Sequence, residues 1–257
     1  MGNRILVLVL VSMVLIGSIG LIIAIPNGGT LDPLSNSSHP GGDPAGTMSA
    51  YAGNVTIVNV DGVSTTASWQ GYMGNVTGVV QLTNAANLTM YNWTLTNPLG
   101  EVYASNHSSI TWTSVQCFNF TANGTNCADD MNRSGGSSWC GMNETVLETA
   151  YGMTNTSGDG INETFNRMDH AAFNVNTLAF ASGECSNTKI LNSTGHGSFD
   201  EVLLWSPGDN ATVFASLLKQ DEAGFDTKTY DFEMMVLDDG HSGDVDITYY
   251  YFYAEIE

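Results

Sequence analysis

The sequence predicts an all-β protein: an antiparallel β-sandwich, jelly-roll or immunoglobulin-like, with one short helix and a disulfide-pinned loop region, preceded by an N-terminal transmembrane or signal helix. Three observations lead to this prediction. Short segments rich in β-branched and aromatic residues recur about every 8–12 residues, with Gly, Asn and Pro between them. An apolar run occupies the N-terminus, and the four cysteines lie close together further along the chain.

The N-terminal apolar run, residues 5–25, contains no charged residue. As a helix rising about 1.5 Å per residue, it would span about 31 Å, enough to cross a bilayer. Arg4 and the α-amino group precede it, so the N-terminus should stay inside and the following chain should be exported. Because the run is long and no A-x-A cleavage site follows it, a membrane anchor is favoured over a cleaved signal peptide. Residues 1–25 are accordingly assigned to a signal peptide or transmembrane anchor.

Residues 26–47 form a predicted linker, since four of the six prolines lie there among many Gly and Ser residues. The folded ectodomain is expected to occupy residues 48–257 as one domain. Predicted strands in its first half cover residues 54–60, 75–82, 88–95, 100–105 and 109–116.

The second half of the ectodomain is predicted to contain a hairpin, a helix and two final strands. The turn Ser-Pro-Gly-Asp-Asn separates strand 201–205 from strand 211–218. A short amphipathic helix is expected within 143–152, and the last strands within 230–239 and 244–256. Both faces of the last segment are apolar enough for a central strand.

The cysteines support export. An even number of cysteines in an exported chain predicts two disulfides. The favoured pairs are Cys117 with Cys127, closing a local loop, and Cys140 with Cys185, although the sequence leaves all three pairings open. A zinc site is the alternative, but no C-x2-C spacing and no neighbouring His supports it.

Charge excludes one class of partner. Lys and Arg number 6 against 26 Asp and Glu, for a formal net charge of −20. Such a surface repels phosphate backbones, so we expect no nucleic acid partner. Between positions 48 and 128 the only charged residues are Asp61 and Glu101. That stretch must therefore remain soluble through its polar side chains or through groups attached to them.

Glycosylation sequons (N-x-S/T with a non-proline middle residue) are in excess. They begin at 14 of the 24 asparagines, whereas 49 Ser and Thr among 257 residues would give about 5 by random placement. This excess predicts an exported glycoprotein. The predicted sites are Asn36, Asn54, Asn75, Asn87, Asn92, Asn106, Asn119, Asn123, Asn132, Asn143, Asn155, Asn162, Asn192 and Asn210. If one face of strand 88–95 is buried, only one of Asn87 and Asn92 can carry a glycan, while Asn75 is the safest acceptor.

No catalytic motif emerges. The chain lacks G-x-S-x-G, G-x-G-x-x-G and the P-loop, and its five histidines have no metal-ligand spacing, so they are expected at surface or loop positions. Calcium is the one cofactor with some support. Asn155, Ser157 and Asp159 occupy positions one, three and five of an EF-hand-like loop, but Asn166 replaces the Glu expected at position twelve. These three residues are the candidate metal ligands, against the alternative of a solvated acidic turn.

A short head, a long apolar run, a Pro/Gly linker and an Asn/Thr-rich β ectodomain resemble archaeal cell-surface glycoproteins and, more distantly, archaeal pilins. The segments WQGYMGNVTG, GEVYAS and YDFEMMV carry this resemblance. It implies a location at the cell surface and assigns no functional residue. The pilin likeness is incomplete, because Ile5 follows Arg4 directly where a pilin leader would place a small residue.

The predicted function is that of a non-enzymatic extracellular surface glycoprotein, structural or adhesive. Membrane contact is expected through residues 5–25, with self-assembly, surface-layer or glycan partners. One alternative is a pilus or filament subunit that assembles through the apolar helix. Another is a carbohydrate-binding or carbohydrate-active module that uses the Tyr and Trp residues.

Overall fold

The computed structural model describes residues 25–38, 44–120, 144–154, 156–238 and 247–256. The predictions for residues 1–24, and for Cys127 and Cys140, lie outside these ranges. Among the described residues, no helix is both long enough and apolar enough to span a bilayer.

The described residues form antiparallel sheets with few helices, which confirms the all-β prediction. The strands are β1 (Asn27–Gly28), β2 (Trp69–Gly74), β3 (Gly78–Thr83), β4 (Thr89–Leu95), β5 (Gly100–Ser105), β6 (Gln116–Cys117), β7 (Phe173–Val175), β8 (Leu178–Phe180), β9 (Asn187–Leu191), β10 (Gly197–Ser206), β11 (Ala211–Leu217), β12 (Glu222–Ala223), β13 (Thr229–Tyr230), β14 (Phe232–Leu237) and β15 (Tyr251–Ile256). The helices are α1 (Glu144–Ala150), at the predicted place, and α2 (Ile161–Thr164).

Seven strands form the main sheet in the order β1-β15-β5-β11-β10-β6, and β9 also pairs with β10. The hairpin β10–β11 is the one predicted around Ser-Pro-Gly-Asp-Asn. Asn210 closes its turn at a φ of 53°, a left-handed conformation that Asn tolerates better than most residues. The small sheets β2–β14, β3–β4, β7–β8 and β12–β13 complete the strand pairing.

Apolar clusters cover both faces of the main sheet. The first includes Val102, Ala104, Leu203, Trp205 and Phe214 of the sheet with Met234, Val236 and Leu237 of β14. The second includes Tyr103, Val202, Leu204, Val213 and Ala215 of the sheet with Phe173, Val175 and Phe180 of β7 and β8. Burial on both sides explains why residues 202–205 of β10 and most of β11 are apolar, without the alternation of a half-exposed strand.

The C-terminal strand β15 lies inside the main sheet, between β1 and β5. Its close approach to β5 requires a glycine at position 100. Gly100 has a φ of +120°, and a Cβ there would lie 2.0 Å from the backbone oxygen of Glu255. Any other residue at this position would be strained and would push the two strands apart.

Two predicted strands are wrong. Residues 54–60 contain no strand, and their apolar side chains are exposed. Residues 109–116 form mainly turns, with only Gln116 entering β6. Both segments have the composition of a strand, but neither meets a partner along its length among the described residues, and composition alone does not supply one.

Candidate functional site: an exposed hairpin and its sequons

The β3–β4 hairpin is the most exposed apolar element among the described residues. Its register places Val80 opposite Trp93 and Leu82 opposite Tyr91. The tip is a turn that Asn84 stabilises, because its side-chain oxygen accepts hydrogen bonds from the backbone N–H groups of Ala86 (3.0 Å) and Leu88 (2.9 Å). The hairpin forms a sheet of its own and pairs with no other strand of the described chain.

One face of the hairpin carries large apolar side chains, and we call it the aromatic face: Val80, Leu82, Tyr91 and Trp93. These side chains remain 44–58% exposed. The rings of Tyr91 and Trp93 are 4.8 Å apart and inclined by 58°. The two rings offer a large contact area to another apolar surface.

The opposite face mixes polar side chains with Val79, which is 47% exposed. Asn92 lies there opposite Gln81, and Thr94 lies opposite Val79. Asn87 lies in the tip turn at a φ of 58°, beyond the end of β4. The premise that one face of this strand is buried is therefore wrong: Asn87 and Asn92 are both exposed, and neither blocks the other. Whether they carry glycans stays a prediction.

The described sequons all lie at the surface. Of the ten described sequon asparagines, eight are exposed and two, Asn119 and Asn192, are partly exposed. The exposed ones are Asn36, Asn54, Asn75, Asn87, Asn92, Asn106, Asn162 and Asn210. By contrast, Asn187, which is not in a sequon, is fully buried. Asn123, Asn132, Asn143 and Asn155 lie outside the described residues.

Two sequon asparagines use their side-chain nitrogen within the fold. The amide of Asn106 donates to the Tyr151 hydroxyl at 3.0 Å. The amide of Asn192 donates to the Ser198 hydroxyl at 3.0 Å, while its oxygen accepts from the backbone of Thr194 and His196. A glycan takes one of the two hydrogens of this nitrogen and needs space beside it, so these two positions are less favourable acceptors than Asn75, Asn87 and Asn92.

The cysteine pairing differs from the favoured prediction. Cys117 bonds Cys185, with a Cα–Cα distance of 5.0 Å, so both favoured pairs, Cys117 with Cys127 and Cys140 with Cys185, are wrong. This pairing follows from the order of the strands in the main sheet. Strand β6 pairs with the end of β10 and β9 with its beginning, so both lie along the same edge of β10. The disulfide therefore joins Cys117, the last residue of β6, to Cys185, which lies two residues before β9 begins.

Ser157 and Asp159, the two candidate calcium ligands that the structure describes, lie in a turn and contact different partners. The Ser157 hydroxyl accepts a hydrogen bond from the backbone N–H of Thr154 at 3.2 Å. The Asp159 carboxylate accepts one from the Thr66 hydroxyl at 2.6 Å, and its backbone oxygen accepts one from Trp69 Nε1 at 2.7 Å. Asn155 lies outside the described residues. In the described part of the chain, no group of three or more His, Cys, Asp and Glu could hold a metal ion.

Several acids are buried, which the sequence did not indicate. Glu201 is fully buried, and burial raises the pKa of its carboxyl well above the usual range. One of its oxygens accepts from the backbone N–H of Met235 at 3.0 Å, and the other has no partner in the described chain.

Glu255, also buried, accepts from the Tyr103 hydroxyl at 2.9 Å and from the backbone of Asn176. Burial and the nearby Glu101 and Glu255 raise the Tyr103 pKa.

A second acidic group surrounds Gly160. A Cβ at this glycine would lie 2.6 Å from Glu148 Oε1 and 2.5 Å from Glu163 Oε2. Glu148 is 1% exposed and accepts from the backbone N–H of Ile161 at 3.1 Å. Burial raises the pKa of Glu148, and the charge of Glu163 raises it further. Because Gly160 has no side chain, the carboxylates of Glu148 and Glu163 can both lie close to its backbone.

Basic residues gather at one place. Lys189 Nζ lies 2.5 Å and Lys219 Nζ 3.7 Å from the carboxylate of Asp200, and Arg167 pairs with Asp169. The hydrogen bond from Arg167 holds the pKa of Asp169 well below its usual value. Three of the chain's six Lys and Arg residues are thus at this cluster. They stabilise the β9–β10 edge.

His170 lies in a loop, one of the two kinds of position predicted for the histidines, and it is fully buried. Its Nε2 accepts from the backbone N–H of Cys185 at 2.9 Å, and its Nδ1 lies 2.7 Å from the carbonyl of Ala171. His170 therefore supports the backbone beside the disulfide.

The fold and surface define an all-β protein with a disulfide-bonded main sheet, surface sequons and a protruding apolar hairpin. Comparisons of this chain with protein-family models, curated proteins and solved structures find no match.

Proposed function

We propose that this protein is an exported, N-glycosylated cell-surface protein, membrane-anchored or secreted, with a structural or adhesive role and without enzymatic activity. The observation that carries this proposal is the position of the sequons. None of the ten described sequon asparagines is buried, although they lie in turns, strands and loops throughout the chain. A surface that receives bulky glycans has to meet this condition.

Two further observations support export. A disulfide joins Cys117 to Cys185, and such bonds persist in oxidising compartments. The N-terminal run of residues 5–25 has the length and charge pattern of a membrane anchor or signal. Within this proposal, the antiparallel sheets form a β-sandwich, jelly-roll or immunoglobulin-like, in which β2 and β14 pack over the main sheet across the first apolar cluster.

Mass spectrometry of protein made in a host that performs N-glycosylation tests the proposal. We expect glycans at Asn75, Asn87 and Asn92 and lower occupancy at Asn106 and Asn192, with the protein in the membrane or the medium. Exposed asparagines outside sequons, such as Asn59 and Asn84, should stay bare and serve as internal controls.

A matched variant checks the assignment of individual sites. Thr77→Val removes the sequon of Asn75 and keeps the asparagine, so the glycan at this position alone should disappear. Unmodified asparagines at every sequon, together with free thiols and recovery in the cytosolic fraction, would overturn the proposed function.

A further inference from the structure

Residues 54–60 have the composition of a strand, yet they have no strand partner in the described chain. The sequence NVTIVNV carries four β-branched apolar side chains. Val55 is 98% and Ile57 95% exposed, and Val60 is 87% exposed. Apolar side chains this exposed in a strand-prone segment are typical of a surface that a partner covers.

The β3–β4 hairpin could accept another strand, because its two outer edges have no strand partner in the described chain. There β3 and β4 pair only with each other. Neither strand has a Lys or Pro that would block the addition of another strand. Its aromatic face needs more apolar cover, and an isolated two-stranded hairpin is only marginally stable in water.

Charge favours a second copy of this chain as the occupant. At a net charge of −20, two copies repel each other over most of their surface. Residues 54–60 and the hairpin carry no charged residue, so two copies can approach there with the least repulsion. Among the described residues of one copy, the segment and the hairpin do not pair with each other.

We propose that residues 54–60 of one copy add as a third strand to the β3–β4 hairpin of a second copy. Because side chains alternate along a strand, Val55 and Ile57 then cover the aromatic face together with Asn59, while Val58 and Val60 lie on the other face. Asn54 falls on the opposite face, the face of Asn92, so both sequons point away from the apolar contact. The contact joins two different surfaces, so it closes as a reciprocal dimer or continues from copy to copy.

A cross-linking experiment on the full chain tests the contact. A photoreactive phenylalanine analogue replaces Ile57, and ¹⁴N- and ¹⁵N-labelled protein are mixed before irradiation. We expect cross-linked peptides of mixed isotope label that join position 57 to residues 78–95. Cross-links that stay within one copy, or that reach other parts of the chain, would overturn the proposal.

The association constant gives a second measurement. Ile57→Asp should weaken self-association at least about tenfold by sedimentation, because a charge enters an apolar contact. Trp93→Ser should have a similar effect. Leu191→Asp is the matched control, since Leu191 is also exposed, at 55%, and lies on β9 away from the hairpin. Equal effects of Ile57→Asp and Leu191→Asp would refute the proposal, and so would a monomeric native chain, which leaves the proposed export and glycosylation intact.

Discussion

Glu201 shows how burial reverses the usual contribution of an acid. Its pKa is raised above the usual value for glutamate, about 4.5, because the fully buried carboxyl loses its hydration. An acid whose pKa is raised by folding favours the folded state below its unfolded pKa. Its contribution to the free energy of unfolding decreases as the pH rises above about 4.5.

We therefore predict that Glu201→Gln raises the free energy of unfolding at pH 7 by about 1–3 kcal/mol, because the neutral amide pays no ionisation penalty. Near pH 4 the difference between variant and native protein should almost vanish. Urea unfolding at the two pH values measures this. Glu222→Gln, at a partly exposed position of β12, is the control and should change stability little. A stabilisation that is the same at both pH values would contradict the prediction.

At the level of elements, the Cys117–Cys185 disulfide connects two short strands that lie end to end along β10. It closes a loop with a sequence separation of 68 residues. Because it lowers the entropy of the unfolded chain, a disulfide across a loop of this length stabilises the folded state by about 4 kcal/mol. We predict that the double variant Cys117→Ser, Cys185→Ser loses about 2–5 kcal/mol of unfolding free energy, measured by urea unfolding. Non-reducing peptide mapping checks the pairing, and a Cys117–Cys127 peptide would contradict it.

Local sequence predicted the elements whose causes are local. The β10–β11 hairpin followed from its turn residues, and helix α1 followed from apolar spacing between 143 and 152. The strand predicted at residues 54–60 is wrong because a strand-like composition does not provide a pairing partner. The predicted disulfide pairing is wrong because β6 and β9 come together only by pairing with β10, which is distant from β6 in the sequence.

The candidate site was predictable in part. Sequon positions and the apolar character of β3 and β4 are visible in the sequence, and surface exposure of the described sequons agrees with a glycosylated surface. The separation of Asn92 from the Tyr91–Trp93 face follows from alternation along a strand. What the sequence could not show is that no other part of the described chain covers this face. That depends on where the whole hairpin lies.

For the whole molecule, the net charge of −20 predicts a strong dependence of stability on salt. Raising NaCl from about 0.05 M to about 1 M shortens the Debye length from above 10 Å to about 3 Å and weakens repulsion between acids. We expect the Tm to rise by several degrees in a calorimetric titration. Choline chloride at equal ionic strength should give a similar rise, since screening does not depend on the identity of the cation. A falling Tm would show that the attraction in the Asp169–Asp200 cluster outweighs the general repulsion.

Strand β1 has a mechanical consequence. Asn27 and Gly28 pair with Ala254 and Tyr253 of β15, only two residues beyond the apolar run that ends at Ile25. When that run is held in a bilayer, the β1 edge of the main sheet is held directly against the membrane. Strand β1 lies within the predicted linker 26–47, so the linker beyond Gly28 would not separate this edge from the membrane. A load that pulls on the protein would reach the anchor through these two residue pairs, so β1 would detach first and act as a short extensible tether.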